Sequence, residues 1–257
     1  MSLADSSTNA LLVQGVSRHF NGLVAVEDVS LTIAKGERRA ILGANGAGKT
    51  TLFNLIAGDI PVSQGRIEFH GEDITNQSVA NRVALGLRRT YQMARIFPQL
   101  TVLENLVIAI IGVSKQHFGL GLIGQNDVRR QQAMVLAERI GIEAFTELKA
   151  ETLSHGQRRQ LELAMALAGE PKILLFDEPA AGLSPLERIK LTEVIKSLSR
   201  DITLVMIEHD MEIALGVCDQ VSVLNWGSLI AEGSPEQISQ NQMVHDIYLG
   251  RKQRDDA

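Results

Sequence analysis

The segment 43–50 constrains the fold of this chain more than any other feature. Its sequence, GANGAGKT, fits the pattern GxxxxGK(S/T) in full, and it lies between the strand-like run 38–42 and the helix-like run 51–57. Glycines in such a loop let successive backbone N–H groups point at phosphate oxygens, and the positive end of the helix adds to the attraction. The segment therefore predicts a phosphate-binding loop, in which Lys49 reaches the β- and γ-phosphates and the Thr50 hydroxyl holds Mg²⁺.

Hydrophobic periodicity divides the rest of the chain into short strands and helices. The predicted strands are 11–16, 25–33, 38–42, 66–70, 172–176, 202–207 and a pair near 220–231, and the predicted helices are 101–112, 131–140, 155–168, 185–200 and 210–216. Glycines within 112–125 indicate an irregular insertion. Because strands and helices alternate after residue 153, the sequence predicts a parallel α/β sheet.

Two predicted strands are followed by side chains suited to phosphate chemistry. The apolar run 173–176 ends in Asp177 and Glu178, and the strand 202–207 is followed closely by His209. The carboxyl ends of parallel strands share one edge of a sheet, where open α/β sheets bind ligands. We expect Asp177 to complete the Mg²⁺ shell and Glu178 to orient or deprotonate an attacking water. His209 would hydrogen-bond the γ-phosphate, although its segment could instead only cap the next helix.

Composition excludes several classes of protein. The 257 residues carry a net charge of −5, which disfavours a dedicated nucleic-acid coat. No apolar run approaches the roughly 20 residues of a membrane-spanning helix. The first thirty residues show no secretory leader, and one cysteine fits a reducing compartment. We expect a soluble cytoplasmic protein whose membrane role, if it has one, comes through a partner, and in which Cys218 and Trp226 serve packing.

The string LSHGQ at 153–157 indicates which class of phosphate-loop protein this chain belongs to. Locally, Ser154 and Gln157 form a helix capping box, and the same pattern at 101–104, 184–187 and 234–237 predicts three further helix starts. The string also resembles the signature of ATP-binding cassette (ABC) ATPases, commonly LSGGQ, and it lies between the phosphate loop and the strand that ends at Asp177. The resemblance covers about residues 10–250, so the chain is identified as a member of this family.

The resemblance implies a fold. This is an α/β P-loop NTPase core with a mainly parallel sheet, an N-terminal antiparallel β subdomain and an inserted α-helical subdomain. The expected ABC ATPase domain covers residues 10–250 and is followed by a flexible tail at 251–257. Within the domain, the ATP-binding core is expected at 10–92 and 170–235, the helical subdomain at 93–169 and a C-terminal helical extension at 236–250.

The resemblance also implies ATP and Mg²⁺ as ligands and assigns residues to them. Phe20 looks like the aromatic that stacks on adenine, although it could be a core strand residue. Gln92 looks like the glutamine that contacts Mg²⁺ or water. The expected nucleotide-binding residues are Phe20, Gly43, Asn45, Gly46, Gly48, Lys49, Thr50, Thr51, Ser154, Gly156 and Gln157; the expected catalytic residues are Glu178, His209, Gln92 and Lys49; the expected metal ligands are Thr50, Gln92 and Asp177.

The family works as a head-to-tail pair, so the resemblance implies a homodimer or a heterodimer with a second ABC ATPase. ATP on one subunit's phosphate loop is closed by the signature helix of the other, where Ser154 and the Gly156 amide offer donors to the γ-phosphate. His155 departs from the commoner glycine. Its side chain either is solvated at the rim of the shared site or attracts phosphate in a pH-dependent way.

Local strings narrow the choice within the family. The segments 18–26, 158–162, 177–185 and 247–250 look like the ATPase subunits of branched-chain amino acid importers. This implies a bacterial inner-membrane complex with two permease subunits and an external substrate-binding protein, without nucleic acid. The segment 95–98 would then help form the groove for a permease helix, with Phe97 as an anchor or as a core residue.

Three alternatives remain at this point. One is the ATPase of a urea or short-amide importer, which carries a similar signature string, and another is that of a lipopolysaccharide exporter. The third is a soluble ABC-type ATPase without a membrane partner, against which the absence of a second cassette and of a basic groove counts. A P-loop kinase or GTPase of another family fits less well, because the signature string is foreign to kinases and no guanine-reading motif is found.

Overall fold

A computed structural model describes residues 8–91, 95–114, 127–244 and 246. Its strands are β1 Asn9–Phe20, β2 Leu23–Ala34, β3 Arg38–Gly43, β4 Gln64–Phe69, β5 Glu72–Asp73, β6 Leu87–Arg89, β7 Ile173–Asp177, β8 Thr203–Ile207, β9 Gln220–Asn225 and β10 Ser228–Gly233. Its α-helices are α1 Lys49–Ala57, α2 Val79–Leu85, α3 Val102–Val113, α4 Val128–Ile140, α5 His155–Ala166, α6 Pro185–Ser197, α7 Met211–Val217 and α8 Pro235–Ser239.

The central sheet has the strand order β10-β9-β3-β8-β7-β6. All neighbouring strands pair in parallel except β10, which runs antiparallel to β9. Every residue of β3, β7 and β8 is buried, as expected for strands covered on both faces. The predicted α/β fold with a mainly parallel sheet is confirmed, and the carboxyl ends of β3, β7 and β8 meet at one edge.

The two faces of this sheet pack against different layers. Leu174 and Phe176 of β7 belong to a core shared with the helices α3 to α6, whereas Ile173 and Leu175 belong to a core shared with α1 and the second sheet. That second sheet is antiparallel, with the order β2-β1-β4-β5. It is the antiparallel β region expected near the N-terminus. None of the helices in the described part of the chain combines the length and apolar character that a membrane crossing needs.

The capping boxes read from the sequence are present. Side chain and backbone exchange hydrogen bonds at the starts of α3, α5, α6 and α8. Each box satisfies donors that a helix start leaves free. These caps fix where the helices begin, which is why the predicted starts agree with the structure to within a few residues.

Several boundaries differ from the prediction. The helix expected over 185–200 ends at Ser197, because the buried Arg38 guanidinium binds the carbonyl oxygens of Lys196 and Leu198. The helix expected over 155–168 ends at Ala166, shortly before Gly169 turns the chain at φ +70°. Helix α2 and strand β6 were not predicted, because both are short. The segments 115–126 and 247–257, which carry the predicted insertion and tail, lie outside the described residues.

Candidate functional site

The loop between β3 and α1 depends on two glycines. Gly43 and Gly48 have φ of +156° and +99°. A Cβ on Gly43 would lie 2.5 Å from the carbonyl oxygen of Leu224, and one on Gly48 would lie 2.5 Å from that of Ala25. Neither position can hold a larger residue without moving backbone. The loop therefore curls tightly between the two sheets, as its glycine pattern predicts.

Lys49 begins helix α1 and is buried. Its ammonium donates to the carbonyl oxygens of Gly43, at 2.6 Å, and Ala44, at 3.1 Å, so it lies inside the loop. Beside it is a cavity of about 720 Å³. The predicted residues that line this cavity are Asn45, Gly46, Gly48, Lys49, Thr50, Thr51, Glu178 and His209. Loop amides, a helix start and a lysine on one cavity suit a polyphosphate.

Glu178 leaves β7 in an unusual backbone conformation. Its φ is +49°, and its N–H donates to the carbonyl of Ile207 at the end of β8. Its carboxylate Oε2 lies 4.0 Å from Nδ1 of His209. Non-glycine residues in this conformation cluster at active sites, where neighbouring structure holds them. The topology thus brings together the carboxylate and imidazole that the sequence assigns to water activation and phosphate contact.

Asp177, the last residue of β7, has a partner that the sequence did not reveal. It is buried, and its Oδ2 accepts from Arg89 at 2.8 Å. The same guanidinium donates to Asn54 at 2.6 Å and to Asp59 at 2.7 Å. Arg89 therefore ties the carboxylate to helix α1. The sequence did not predict this ion pair, because Arg89 lies on β6, a strand that the sequence analysis did not identify.

The signature residues form a second group. Ser154 caps α5, and Gly156 N–H donates to Glu187 Oε1 at 3.1 Å. The Glu187 carboxylate also accepts from Ser184, at the start of α6. Donation from Ser184, together with that from Gly156, holds the pKa of Glu187 below its usual range. Glu187 was predicted only as part of its own helix's capping box, yet it joins two helix starts.

The two groups do not meet within one chain. Ser154, Gly156, Gln157 and Glu187 line a separate cavity of about 370 Å³, and none of them lines the cavity beside the phosphate loop. His155 faces α6, with Nε2 3.2 Å from the carbonyl oxygen of Ala181. The side chain is exposed, and its attraction for the phosphate of a partner stays a prediction.

The remaining predicted residues have mixed outcomes. Phe20 is not among the residues that line the phosphate-loop cavity; the Arg18 guanidinium lies 4.5 Å from its ring centre. Gln92 lies outside the described residues. Phe97 is 48% exposed, so the interpretation as a core residue is wrong.

The sequence analysis predicted that Cys218 and Trp226 serve packing, and the structure agrees with this for Cys218 alone. Cys218 is buried, and burial raises the pKa of its thiol to about 12. Trp226 is 77% exposed and lines the phosphate-loop cavity. The prediction for Trp226 was wrong because the chain turns there, between β9 and β10, and the indole faces outward.

A buried ion pair connects helix α5 to the end of β6. Glu162 and Arg159 lie 2.9 Å apart, and both contact the Tyr91 backbone at 3.0 Å, Glu162 accepting from its N–H and Arg159 donating to its carbonyl. Burial raises the pKa of Glu162. The signature helix therefore holds the peptide that immediately precedes Gln92.

Comparison with known proteins decides the family. The model of the ABC transporter family matches residues 26–181. The chain belongs to the ABC transporter family of ATPases. The resemblance drawn from the signature string is thereby confirmed.

Individual relatives agree with this assignment. The chain is 39% identical over 251 residues to the high-affinity branched-chain amino acid transport ATP-binding protein LivG of Salmonella typhimurium, covering 93% of this chain and 97% of that protein. It is 35% identical to the lipopolysaccharide export ATP-binding protein LptB of Haemophilus influenzae, covering 94% and 98%. The ADP conformation of MJ1267, an ATP-binding cassette of an ABC transporter, superposes with a TM-score of 0.85 at 31% identity over 94% and 99%.

Proposed function

We propose that this protein is the ATP-hydrolysing subunit of a membrane importer for branched-chain or related amino acids. The observation that carries the proposal is the shared edge of the central sheet. There the phosphate loop, Glu178 and His209 line one cavity, in a chain 39% identical to LivG. The expected domain boundaries and the assigned site residues are part of the proposal.

The chain's own side chains divide the work of hydrolysis. The loop amides and Lys49 bind the phosphates, and Lys49 must exchange at least one carbonyl partner for a phosphate oxygen when nucleotide enters. Glu178 orients the attacking water and accepts its proton. His209, 4.0 Å from Glu178, hydrogen-bonds the terminal phosphate from the neighbouring strand end. Thr51 adds a hydroxyl at the start of α1.

The donors available for a cation fit Mg²⁺ carried by the nucleotide. No cluster of three or more His, Cys, Asp or Glu within residues 8–91, 95–114, 127–244 and 246 could hold a metal by itself. Mg²⁺ bound to phosphates needs only one or two protein oxygens and keeps several waters. Thr50 and Asp177 would supply these oxygens, with Gln92 as the third proposed contact. Bound Mg²⁺ would neutralise charge that develops on the phosphates.

The separation of the signature cavity from the phosphate loop supports a head-to-tail dimer. Ser154 and the N–H groups at the start of α5 offer donors that one chain cannot bring to its own loop. A second ABC ATPase, identical or not, would present them to the γ-phosphate. Gln157, which caps Ser154 from within the helix, keeps the serine hydroxyl in place.

Permease subunits would dock next to the segment 95–98. Phe97 is exposed there, and its backbone N–H is fixed by Asn105 at 2.7 Å, so the ring projects from an ordered backbone. An exposed aromatic on a rigid backbone is a common anchor in protein interfaces. Such docking would place the protein peripherally on the cytoplasmic face of a bacterial inner membrane, with a substrate-binding protein on the opposite side.

A lipopolysaccharide exporter is the second candidate, because LptB is 35% identical over 94% of the chain. The test is deletion of the gene in the bacterium of origin, followed by uptake of radiolabelled leucine, isoleucine and valine. We expect uptake to fall, to return with the wild-type gene and not to return with Glu178→Gln. Unchanged uptake together with lipopolysaccharide accumulating in the inner membrane would instead support the exporter.

A further inference from the structure

An apolar rim borders one side of the phosphate-loop cavity. Leu23, Val24 and Trp226 line it and are 67%, 41% and 77% exposed. A tryptophan this exposed is unusual, and exposed apolar groups gathered around a cavity mark binding sites. The rest of the lining is mainly polar: loop backbone, Lys49, two threonine hydroxyls, and the Glu178 and His209 side chains. The cavity therefore has a phosphate-binding half and an apolar half.

Trp226 occupies this rim in a backbone conformation that disfavours a bulky side chain. Its φ is +49°, in the left-handed region where glycine and asparagine are preferred. A residue held in such a conformation persists when its surroundings fix it, and functional sites are where such residues cluster. With so little of its surface buried, packing does not explain the choice of tryptophan.

The turn that carries Trp226 is fastened directly to the phosphate loop. The N–H of Gly227 donates to the carbonyl of Ala47 at 3.0 Å, and the Gly227 carbonyl accepts from Glu27 at 2.9 Å. The Gly227 Cα also lies 3.3 Å from where a Cβ on Gly48 would be. The position of the indole is therefore fixed relative to the loop that binds phosphate.

We propose that Trp226 is a base-binding residue, whose indole packs against the purine of the nucleotide held by the phosphate loop. The loop amides bind the phosphates, so the base is the part of the ligand left to contact the apolar half of the cavity. The inference rests on the proposed function but concerns a residue on the β9–β10 turn, separate from Phe20. Stacking requires a base, so the expected ligand class is a nucleotide rather than a phosphate compound in general.

The experiment compares ligands with and without a base. Trp226 is the only tryptophan of the chain, so its emission reports on this rim alone. We expect ATP and ADP to quench the emission of the wild-type protein, and inorganic tripolyphosphate, whose binding is followed by calorimetry, to leave it unchanged. Unchanged emission at saturating ATP would overturn the proposal. Failure of the wild-type protein to bind ATP at all would count against the proposed function instead.

Two variants separate base binding from support of the loop. By calorimetry, Trp226→Ser should weaken ATP binding by about 5- to 150-fold, the range set by loss of one stacked base. The affinity of this variant for tripolyphosphate should stay the same as that of the wild-type protein. The control Leu148→Gln changes another exposed apolar residue and should leave the affinity for both ligands unchanged. Equal loss of affinity for ATP and tripolyphosphate would show that the turn only supports the loop, and would overturn the proposal.

The second variant tests the backbone conformation. Trp226→Gly relieves the positive φ, so we expect the melting temperature of the free protein to rise while its ATP affinity falls. A fall in melting temperature with unchanged ATP affinity would show that the indole stabilises the fold and does not bind the base.

Discussion

Glu187 shows how one side chain can serve two helices. Its carboxylate accepts from Ser184 at the start of its own helix and from the Gly156 N–H at the start of the signature helix. A carboxylate next to two helix starts is stabilised in its charged form. The Gly156 N–H of the signature helix is thus already occupied by an anion in the single chain. A γ-phosphate brought by a partner would share or replace that anion.

The first prediction concerns the pH dependence that Glu187 creates. The pKa of Glu187 in the folded protein lies below the ordinary 4.5. Its contribution to the free energy of unfolding is therefore present above pH 4.5, and it is lost as the pH falls through the pKa of the folded protein. We expect wild-type melting temperature to exceed that of Glu187→Gln near pH 7, with the difference shrinking below about pH 4.5. The control Glu193→Gln, at an exposed position of the same helix, should show no such difference. A constant difference from pH 7 to pH 3.5 would contradict the assignment.

The second prediction concerns Cys218. Its thiol is buried and its pKa is about 12, so the reactive thiolate is negligible at pH 8. We expect no reaction with a thiol-specific disulfide reagent over the time in which the guanidinium-unfolded protein reacts fully. Rapid modification of the native protein at pH 8 would show that the core around Cys218 opens readily.

Residue roles were predictable where a local pattern encodes them. The phosphate loop, the two carboxylates after β7 and the Ser154 cap could all be read from spacing. Arg89, Glu187 and Trp226 could not. Each acts on residues far away in sequence, and only the pairing of β6 with β7, the packing of α5 against α6, or the β9–β10 turn brings them to the site.

At the scale of elements, helix starts were easier to predict than helix ends. A capping box is local, so the starts of α3, α5, α6 and α8 were evident from the sequence. The end of α6 depends on Arg38 from β3, a tertiary contact. Strand β6 has only three residues, and its apolar signal is a single leucine. Its existence depends on pairing with β7 rather than on its own composition.

The third prediction compares one substitution in two helices. In α3, Gly112 has open space where a Cβ would be, so Gly112→Ala should stabilise the protein by up to about 1 kcal/mol through helix propensity. In α5, a Cβ on Gly156 would lie 2.6 Å from Glu187 Oε1. Because Glu187 must then move and loosen its hydrogen bond with the Gly156 N–H, Gly156→Ala should leave the protein less stable than Gly112→Ala does. Urea unfolding of both variants measures these changes; equal effects would refute the close packing of α5 on Glu187.

At the scale of the whole molecule, the functional residues form two groups that one chain keeps apart. The phosphate loop and the ends of β7 and β8 share one cavity, while the start of the signature helix lines another. Helix α5 also contacts the central sheet region, because Arg159 and Glu162 hold the Tyr91 backbone just beyond the end of β6. In one copy, the start of the signature helix therefore lies apart from the phosphate loop.

The pairing of two copies around ATP is tested most directly by light scattering of Glu178→Gln, which should bind ATP while hydrolysing it at least about 100-fold more slowly. In saturating Mg-ATP we predict the mass of a dimer, and without nucleotide that of a monomer. Adding Ser154→Arg should leave each chain able to bind ATP, as measured by calorimetry, yet keep it monomeric. A monomeric Glu178→Gln protein in saturating Mg-ATP, or a double variant that dimerises as tightly as the single one, would contradict the account.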